Sequence, residues 1–376
     1  MRIAIGIDVH KNSCTAHAAY AGMGKPRKRH QDFIDRFNED FRKFHSDWRG
    51  MIELHNRIKM HEAHILIENS TKSHDVYWMI KGLGHEIIVA HATDLKRITE
   101  SHKKNDYNDA YELAHYMRRR LMGEIEFNES YIPSMDTLKR RELCRFSFLD
   151  RAELSDTRRR IRSLLLIRGI KLSREYDDIL ARDAVNELLA LGDSIITLHV
   201  SKAVELRKRI RFVEKMLIAE FTGNEVFDII YSIPGFGIIS AAYVTCMGDD
   251  FSRFEDGHGF AASIGLVPKQ HSSSDIDPDC GITRRGDPDL RRIMAQAAFV
   301  HKRFADSFIS RKYDRLKARG KKHNEALVAC ANSMAVLVHK MVTSGTRYTE
   351  EPERLAISRA YERGMSLEDD MDEAVQ

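Results

Sequence analysis

The chain has 376 residues, enough for two or three domains with real cores. Its 60 Lys+Arg against 56 Asp+Glu leave a formal charge of +4, too near balance to name a polyanionic partner by itself. Cys14, Cys144, Cys246, Cys280 and Cys330 lie far apart, odd in number and without CxxC spacing, which argues against a disulfide frame or a zinc knuckle. No signal peptide opens the chain and no apolar run looks long enough to span a bilayer, so a cytoplasmic protein without membrane contact is expected. The 18 histidines are scattered and none pairs with cysteine at zinc spacing, so they read as surface or loop residues.

In chain order, "RIAIGIDVHK" and "SCTAHAAYAG" read as a strand hairpin, with "KPRKRHQDFI" as a third strand. "DRFNEDFRKFHSDWRGMIELHNRIKM" has helical spacing throughout. "HILIEN" is a compact strand ending near Glu68, "SHDVYWMIKGLG" a helix closed by glycine, and "HEIIVAH" a further strand. "KKNDYNDAYELAHYMRRR" from Lys103 is the next helix, closing a mixed α/β region near Glu124. From about Pro133 to Asp228, "DRAELSDTRRRIRSLLLIRGIKL" and "SKAVELRKRIRFVEKMLIAEF" predict two long helices, an antiparallel pair or coiled-coil arm. Their clusters Arg158, Arg159, Arg160, Arg162 and Arg207, Lys208, Arg209, Arg211 fit a solvated helix face as well as they fit nucleic acid. A third region opens at Tyr231 with "YSIPGFGIISAAYVTCMGD", and beyond Thr349 the chain becomes an acidic, polar tail that composition marks as disordered.

Asp106 and Asp109 stand one helical turn apart between lysines and arginines, although neighbouring like charges repel. A helix start explains part of this: Asn105 could be the N-cap and acids suit a first turn. Asp8 and Glu68, however, each end a strand, where an α/β sheet exposes side chains to ligand. Were the two strands neighbours, four carboxylates could gather, and only a hard cation such as Mg²⁺ or Mn²⁺ would relieve their repulsion. Lys103, Lys104, Arg118, Arg119 and Arg120 would then attract a phosphate backbone. Taken singly, Asp8 could form a turn and Glu68 could cap the helix after it. The order of strand Asp, later strand Glu and helical Asp-x-x-Asp resembles the RuvC branch of the ribonuclease-H-like fold.

"IPGFGIISAA" resembles the hairpin of a helix-hairpin-helix motif, where Gly235 and Gly237 would let backbone approach phosphate, or else it is a tight turn between buried helices. "GLVPKQHSSSD" puts three serines in a loop before "TRRGDPDLRR", which carries Arg284 and Arg285 as further candidates for nucleic-acid contact. With "IGIDVHK", "ILIEN", "KNDYNDAYELA", "SIPGFGIISAA", "FAASIGLVP", "GDPDLRR" and "GKKHNEALVA" in order, the chain resembles the DEDD transposases of the insertion-sequence-110 group, kin to Piv-type DNA invertases, over roughly residues 3–341.

This resemblance implies a multidomain α/β plus α protein. A RuvC-like domain would occupy residues 1–130 and a helical, coiled-coil arm residues 131–228. A mainly helical transposase domain with the helix-hairpin-helix-like motif and the serine loop would take 229–348, and the tail 349–376. By motif match Asp8, Glu68, Asp106 and Asp109 take the DEDD places and hold Mg²⁺ or Mn²⁺. Ser273 takes the place of a serine nucleophile, although Ser274 stands where the family commonly has glycine, so Ser272 and Ser274 stay open as alternatives. Acids and serine would have to meet by domain packing, within one subunit or between two. DNA is the implied substrate, a structured guide (bridge) RNA the implied partner, and a homodimer or homotetramer the implied assembly. A RuvC-like nuclease acting through water, with no covalent intermediate, is the alternative.

Overall fold

The computed structural model describes residues 1–91, 106–268, 281–283, 286–304 and 306–348, the side chain of Phe304 excepted. Two compact units emerge, Met1–Pro133 and Ser134–Gln376.

The first unit is a five-stranded mixed sheet with helices on it. Strands β1 (Arg2–Val9) and β2 (Ser13–Tyr20) form the expected hairpin, paired from Ile3↔Tyr20 to Val9↔Cys14. The third strand is not where the sequence placed it. "KPRKRHQDFI" falls mostly within helix α1 (Lys28–Asp40), because Ile34 and Phe37 recur at helical spacing and bury on one face. The actual β3 is the short Lys43–His45, which interrupts the single long helix that was expected. Asp47 then accepts from the amides of Arg49 and Gly50 and starts α2 (Trp48–Ile58) afresh. Strand β4 (Glu62–Glu68), α3 (Ser73–Gly82), β5 (Glu86–Ala90) and α4 (Asp106–Leu121) complete the unit. Strand order is β3-β2-β1-β4-β5, antiparallel across β3-β2-β1 and parallel across β1-β4-β5.

Alternation along the strands sorts two cores. Ile3, Ile5, Ile7, Ile65 and Ile67 face one side with Phe37, Met51, Leu54 and Val76. Ala4 and Leu66 face the other, with Leu113, Tyr116 and Met117 of α4. Gly6 shares that second face. A Cβ there would lie 2.2 Å from the Ala110 carbonyl oxygen and 2.3 Å from the Ala114 nitrogen, so the helix backbone rests directly on β1.

In the second unit, α5 (Met135–Ile167) and α7 (Ser194–Phe221) run antiparallel, with α6 (Arg182–Ala190) between them in sequence. Leu154, Ile161 and Leu165 pack among Ile196, Val200, Ala203, Leu206 and Ile210. Cross-pairs fix the direction: Arg140 Nε to Glu220 at 3.0 Å, Arg209 Nε to Asp150 at 3.0 Å, Lys202 to Glu153 at 2.6 Å. The basic clusters are largely spent on this framework. Arg158 and Arg207 converge on Asp178, Arg159 pairs with Asp156, and Arg162 donates to the Asp177 carbonyl.

The same unit continues through α8 (Glu225–Ser232), α9 (Ile238–Gly248), α10 (Gly257–Ile264), α11 (Pro288–Phe304), α12 (Phe308–Ala318) and α13 (His323–Ser344). They share a core around Tyr243, Phe260, Met294 and Met334. Helix α13 is long and apolar enough by composition to cross a membrane, which the sequence reading missed. Cys330, Ala331, Met334, Ala335 and Val338 on it are packed into that core.

Candidate metal and nucleic-acid site

Parallel pairing puts Ile7 opposite Ile67, so Asp8 and Glu68 follow one position on along adjacent strands. By alternation both belong to the α4 face, the side of Ala4 and Leu66. Helix α4 is seated there by Gly6, and its first turn carries Asp106 and Asp109. The expected neighbour relation between the two strands therefore holds, and the helix brings the remaining acids to the same end.

Histidine completes the tightest part. His10 Nε2 lies 3.0 Å from Asp8 Oδ2 and 3.3 Å from Asp106 Oδ2. Ligand atoms of Asp8, His10 and Asp106 all lie within 4.8 Å of one another. The sequence reading treated the histidines as bystanders; the "DVHK" spacing, two residues past a strand-end Asp, was the available signal. Glu68 and Asp109 are not in that cluster but act on it electrostatically. Burial pushes the Asp8 carboxyl above its ordinary value; His10 opposes this, and Asp109, Asp106 and Glu68 add to it. Glu68 does not cap α3, which has no side-chain cap.

Two carboxylates and one imidazole, with Asp109, Asp106 and Glu68 crowding negative charge around Asp8, are a donor set that fits a divalent cation. Asp8, Asp106 and His10 would hold it, with Glu68 and Asp109 adding charge.

In the second unit the Gly235–Gly237 turn joins α8 to α9. Gly235 has φ +111°, and a Cβ on it would sit 2.4 Å from the Ala297 carbonyl oxygen. The Gly237 amide donates to Ser240 Oγ at 2.8 Å, while the His301 ring is 2.8 Å from the Pro234 oxygen and 3.0 Å from Ser307 Oγ. This is the tight turn between buried helices, and it also forms the rim of a cleft of about 250 Å³ beside Arg151, Ser240 and Arg292. Lys103, Lys104, Ser272, Ser273, Ser274, Arg284 and Arg285 lie outside the described residues, as do Asn105, Cys280 and the tail. Asp287 closes the "RRGD" stretch: it accepts from Tyr243 OH at 3.0 Å, from Arg145 at 2.9 Å and from the Leu290 amide at 2.8 Å.

Residues 228–314 match the Transposase IS116/IS110/IS902 family. Over 291 residues, 76% of this chain and 85% of the other, the sequence is 25% identical to the transposase for insertion sequence element IS1328 of Yersinia enterocolitica. It is 27% identical to the putative transposase y4pF/y4sB of Sinorhizobium fredii over 76% of this chain and 74% of that protein. The transposase for IS1111A of Coxiella burnetii is 28% identical over 65% and 68%. Together these matches support an IS110-family transposase, with the family's own domain falling on residues 228–314.

Proposed function

We propose that this protein is a DNA transposase that cuts and rejoins strands through a serine nucleophile, assisted by a divalent cation at its acidic site. The observation that carries the reading is the gathering of Asp8, Asp106 and His10, with Glu68 and Asp109 raising the Asp8 carboxyl. The parallel pair bearing Asp8 and Glu68 and the mixed sheet support a RuvC-like first unit. The helix–turn–helix at Gly235 supports a helix-hairpin-helix-like contact to phosphate, with Arg292 beside it.

A cation there would polarise a phosphodiester oxygen and neutralise charge that develops on phosphorus. The protein's own part is to gather the acids at one sheet end and to orient them through β1, β4 and α4. Serine, at 273 by motif or at 272 or 274, would attack phosphorus: the Oγ–P bond forms, the strand's P–O bond breaks, and the leaving oxygen takes a proton. The phosphoserine link conserves the bond for rejoining. A guide RNA and a homodimer or homotetramer belong to this reading through the family resemblance.

The test incubates the protein with DNA carrying the ends of its element, in Mg²⁺ and Mn²⁺, and looks for a covalent adduct after denaturation. Adduct in the wild type, its loss in one of Ser272→Ala, Ser273→Ala or Ser274→Ala, and its loss in Asp109→Ala, is the expected pattern. Metal-dependent cleavage without adduct would instead favour the water-using nuclease. An adduct that survives all three serine variants would overturn the serine assignment.

A further inference from the structure

Helix α4 has a second face, rich in rings. Tyr107, Tyr111, His115 and Arg118 recur at spacings of four, four and three, and so form one stripe. It looks onto β2. The buried His17 ring lies 5.5 Å from Tyr107 edge-on, 4.9 Å from Tyr111 and 6.1 Å from His115, and Tyr111 and His115 are 4.2 Å apart. Packing accounts for His17 and for the inner edges of these rings. It does not account for Tyr111, which is 41% exposed on a helix with ample smaller choices for a solvent position.

Cations border the stripe. The Arg42 guanidinium sits 4.7 Å over the Tyr107 ring, and Arg118 donates to the Tyr20 carbonyl at 3.0 Å. Beyond His115 the stripe opens into a groove of about 420 Å³ between β2 and α1, lined by Tyr20, Lys25, Gln31, Asn38 and Arg118. The acid in it, Asp35, is engaged by Gln31 at 2.8 Å. Lys25 is exposed on the rim. His17 has a buried Nδ1 with no hydrogen-bond partner among the described residues, and it lines the same groove. Burial, helped by His115 and Arg42, drops its pKa to about 4, so the ring stays neutral and the platform's positive charge sits at its borders.

Rings beside a sheet face, cations next to them and a groove leading on are what a flexible polyanion with stackable bases requires. The stripe starts in the first helical turn, with Tyr107 next to Asp106, so a strand leaving the acids meets it at once. We propose that Tyr107, Tyr111 and His115, with Arg42, Lys25 and Arg118, form a track for single-stranded DNA running away from the acidic site. A base stacks on Tyr111 and the backbone follows the cations into the groove. Duplex DNA is a poorer occupant, since its bases present no free faces. The choice of DNA rests on the proposed function of the neighbouring acids.

The test is fluorescence anisotropy of the full chain with a dye-labelled oligothymidine of about 12 nucleotides, in EDTA, so that no cleavage is needed. Tyr111→Ala is expected to weaken binding about 5- to 150-fold and Tyr111→Phe to leave it within about twofold. Lys25→Gln is expected to lower the slope of log affinity against log salt by about 0.7. Circular dichroism melts confirm that each variant is folded. Unchanged affinity in folded Tyr111→Ala, or an equal loss in Tyr111→Phe, overturns the track. So does tighter binding of the matching oligouridine, which would assign the stripe to RNA. Because no metal is present, oligothymidine binding that depends on Tyr111 would stand even if the acids proved inactive.

Discussion

Replacing Gly6 with alanine is the most direct probe of how the fold makes the acidic site. The added Cβ would lie 2.2 Å from the Ala110 oxygen, 2.3 Å from the Ala114 nitrogen and 2.6 Å from Leu113 Cβ. Two of the three are backbone atoms of α4, so no rotamer change relieves the clash. Restoring an ordinary contact near 3.4 Å requires the helix to back off by about 1.2 Å, the shortfall at Ala110. Overpacking of this kind costs about 1–3 kcal/mol, or a melting shift on the order of 3–15 °C for a unit of this size. The functional effect should be larger than the stability effect. Asp109 is adjacent to the clash and Asp106 one turn away, while metal–ligand distances tolerate only about 0.2 Å. Titration of Mn²⁺ followed by electron paramagnetic resonance should show affinity reduced at least about tenfold, and strand cleavage reduced on the order of 100-fold. A folded Gly6→Ala protein with wild-type Mn²⁺ affinity would refute the claim that β1–α4 contact positions the acids.

Other outcomes follow from the same geometry. A carboxyl pKa raised in the fold means that Asp8 favours the folded state in its protonated form. That contribution is full below the unfolded value of 3.8 and is lost as pH rises through the higher folded value. Metal-free protein at pH 7 should therefore melt higher as Asp8→Asn than as wild type, and the melting gain from added Mn²⁺ should grow between about pH 4 and 7 in wild type only. A lower melting temperature for Asp8→Asn in EDTA would contradict this. Asp287 caps α11 while taking bonds from Tyr243 and Arg145, so Asp287→Ala should cost about 2–4 kcal/mol in a denaturant melt. Asp287→Asn, which can still cap, should recover part of it, and equal losses would remove the cap from the account.

The strands that carry the site were legible because their apolar runs are short, rich in Ile and bounded by turn residues, as at "RIAIGIDV" and "HILIE". The region between them was misread. Phe and Trp kept helical spacing across residues 35–60, and nothing in that pattern marks β3, a three-residue strand that exists through pairing with Ser13–Thr15. Periodicity reports burial, and long-range pairing can override it. The acids were legible in type and order. That Asp8 and Glu68 share a face depends on register, which sequence leaves open, and the "DVHK" spacing hints at His10 without showing that it meets Asp106 where β1 ends beside α4. The arginine clusters illustrate the opposite limit, since Asp178, far from both in sequence, takes up Arg158 and Arg207.

Asp106 and Asp109 satisfy two explanations at once, and these can be separated. As first-turn acids they meet the positive end of the α4 dipole, a favourable contact of about 0.3–1 kcal/mol each. As part of an acidic cluster they raise the Asp8 carboxyl and so oppose folding when no cation is bound. The two effects have opposite signs in metal-free protein and the second vanishes when a cation binds. If only the helix-start role exists, Asp106→Asn and Asp109→Asn should each lower the melting temperature slightly in EDTA, and Mn²⁺ should stabilise neither wild type nor variant. If the cluster holds a cation, the variants should melt at or above wild type in EDTA and below it in Mn²⁺. At 100 times its dissociation constant a bound ion adds about 2.7 kcal/mol to the native state, well above the dipole effect, so the crossing of the two melting series is measurable. Parallel series that never cross would leave these acids as helix-starting residues and remove the cation from the site.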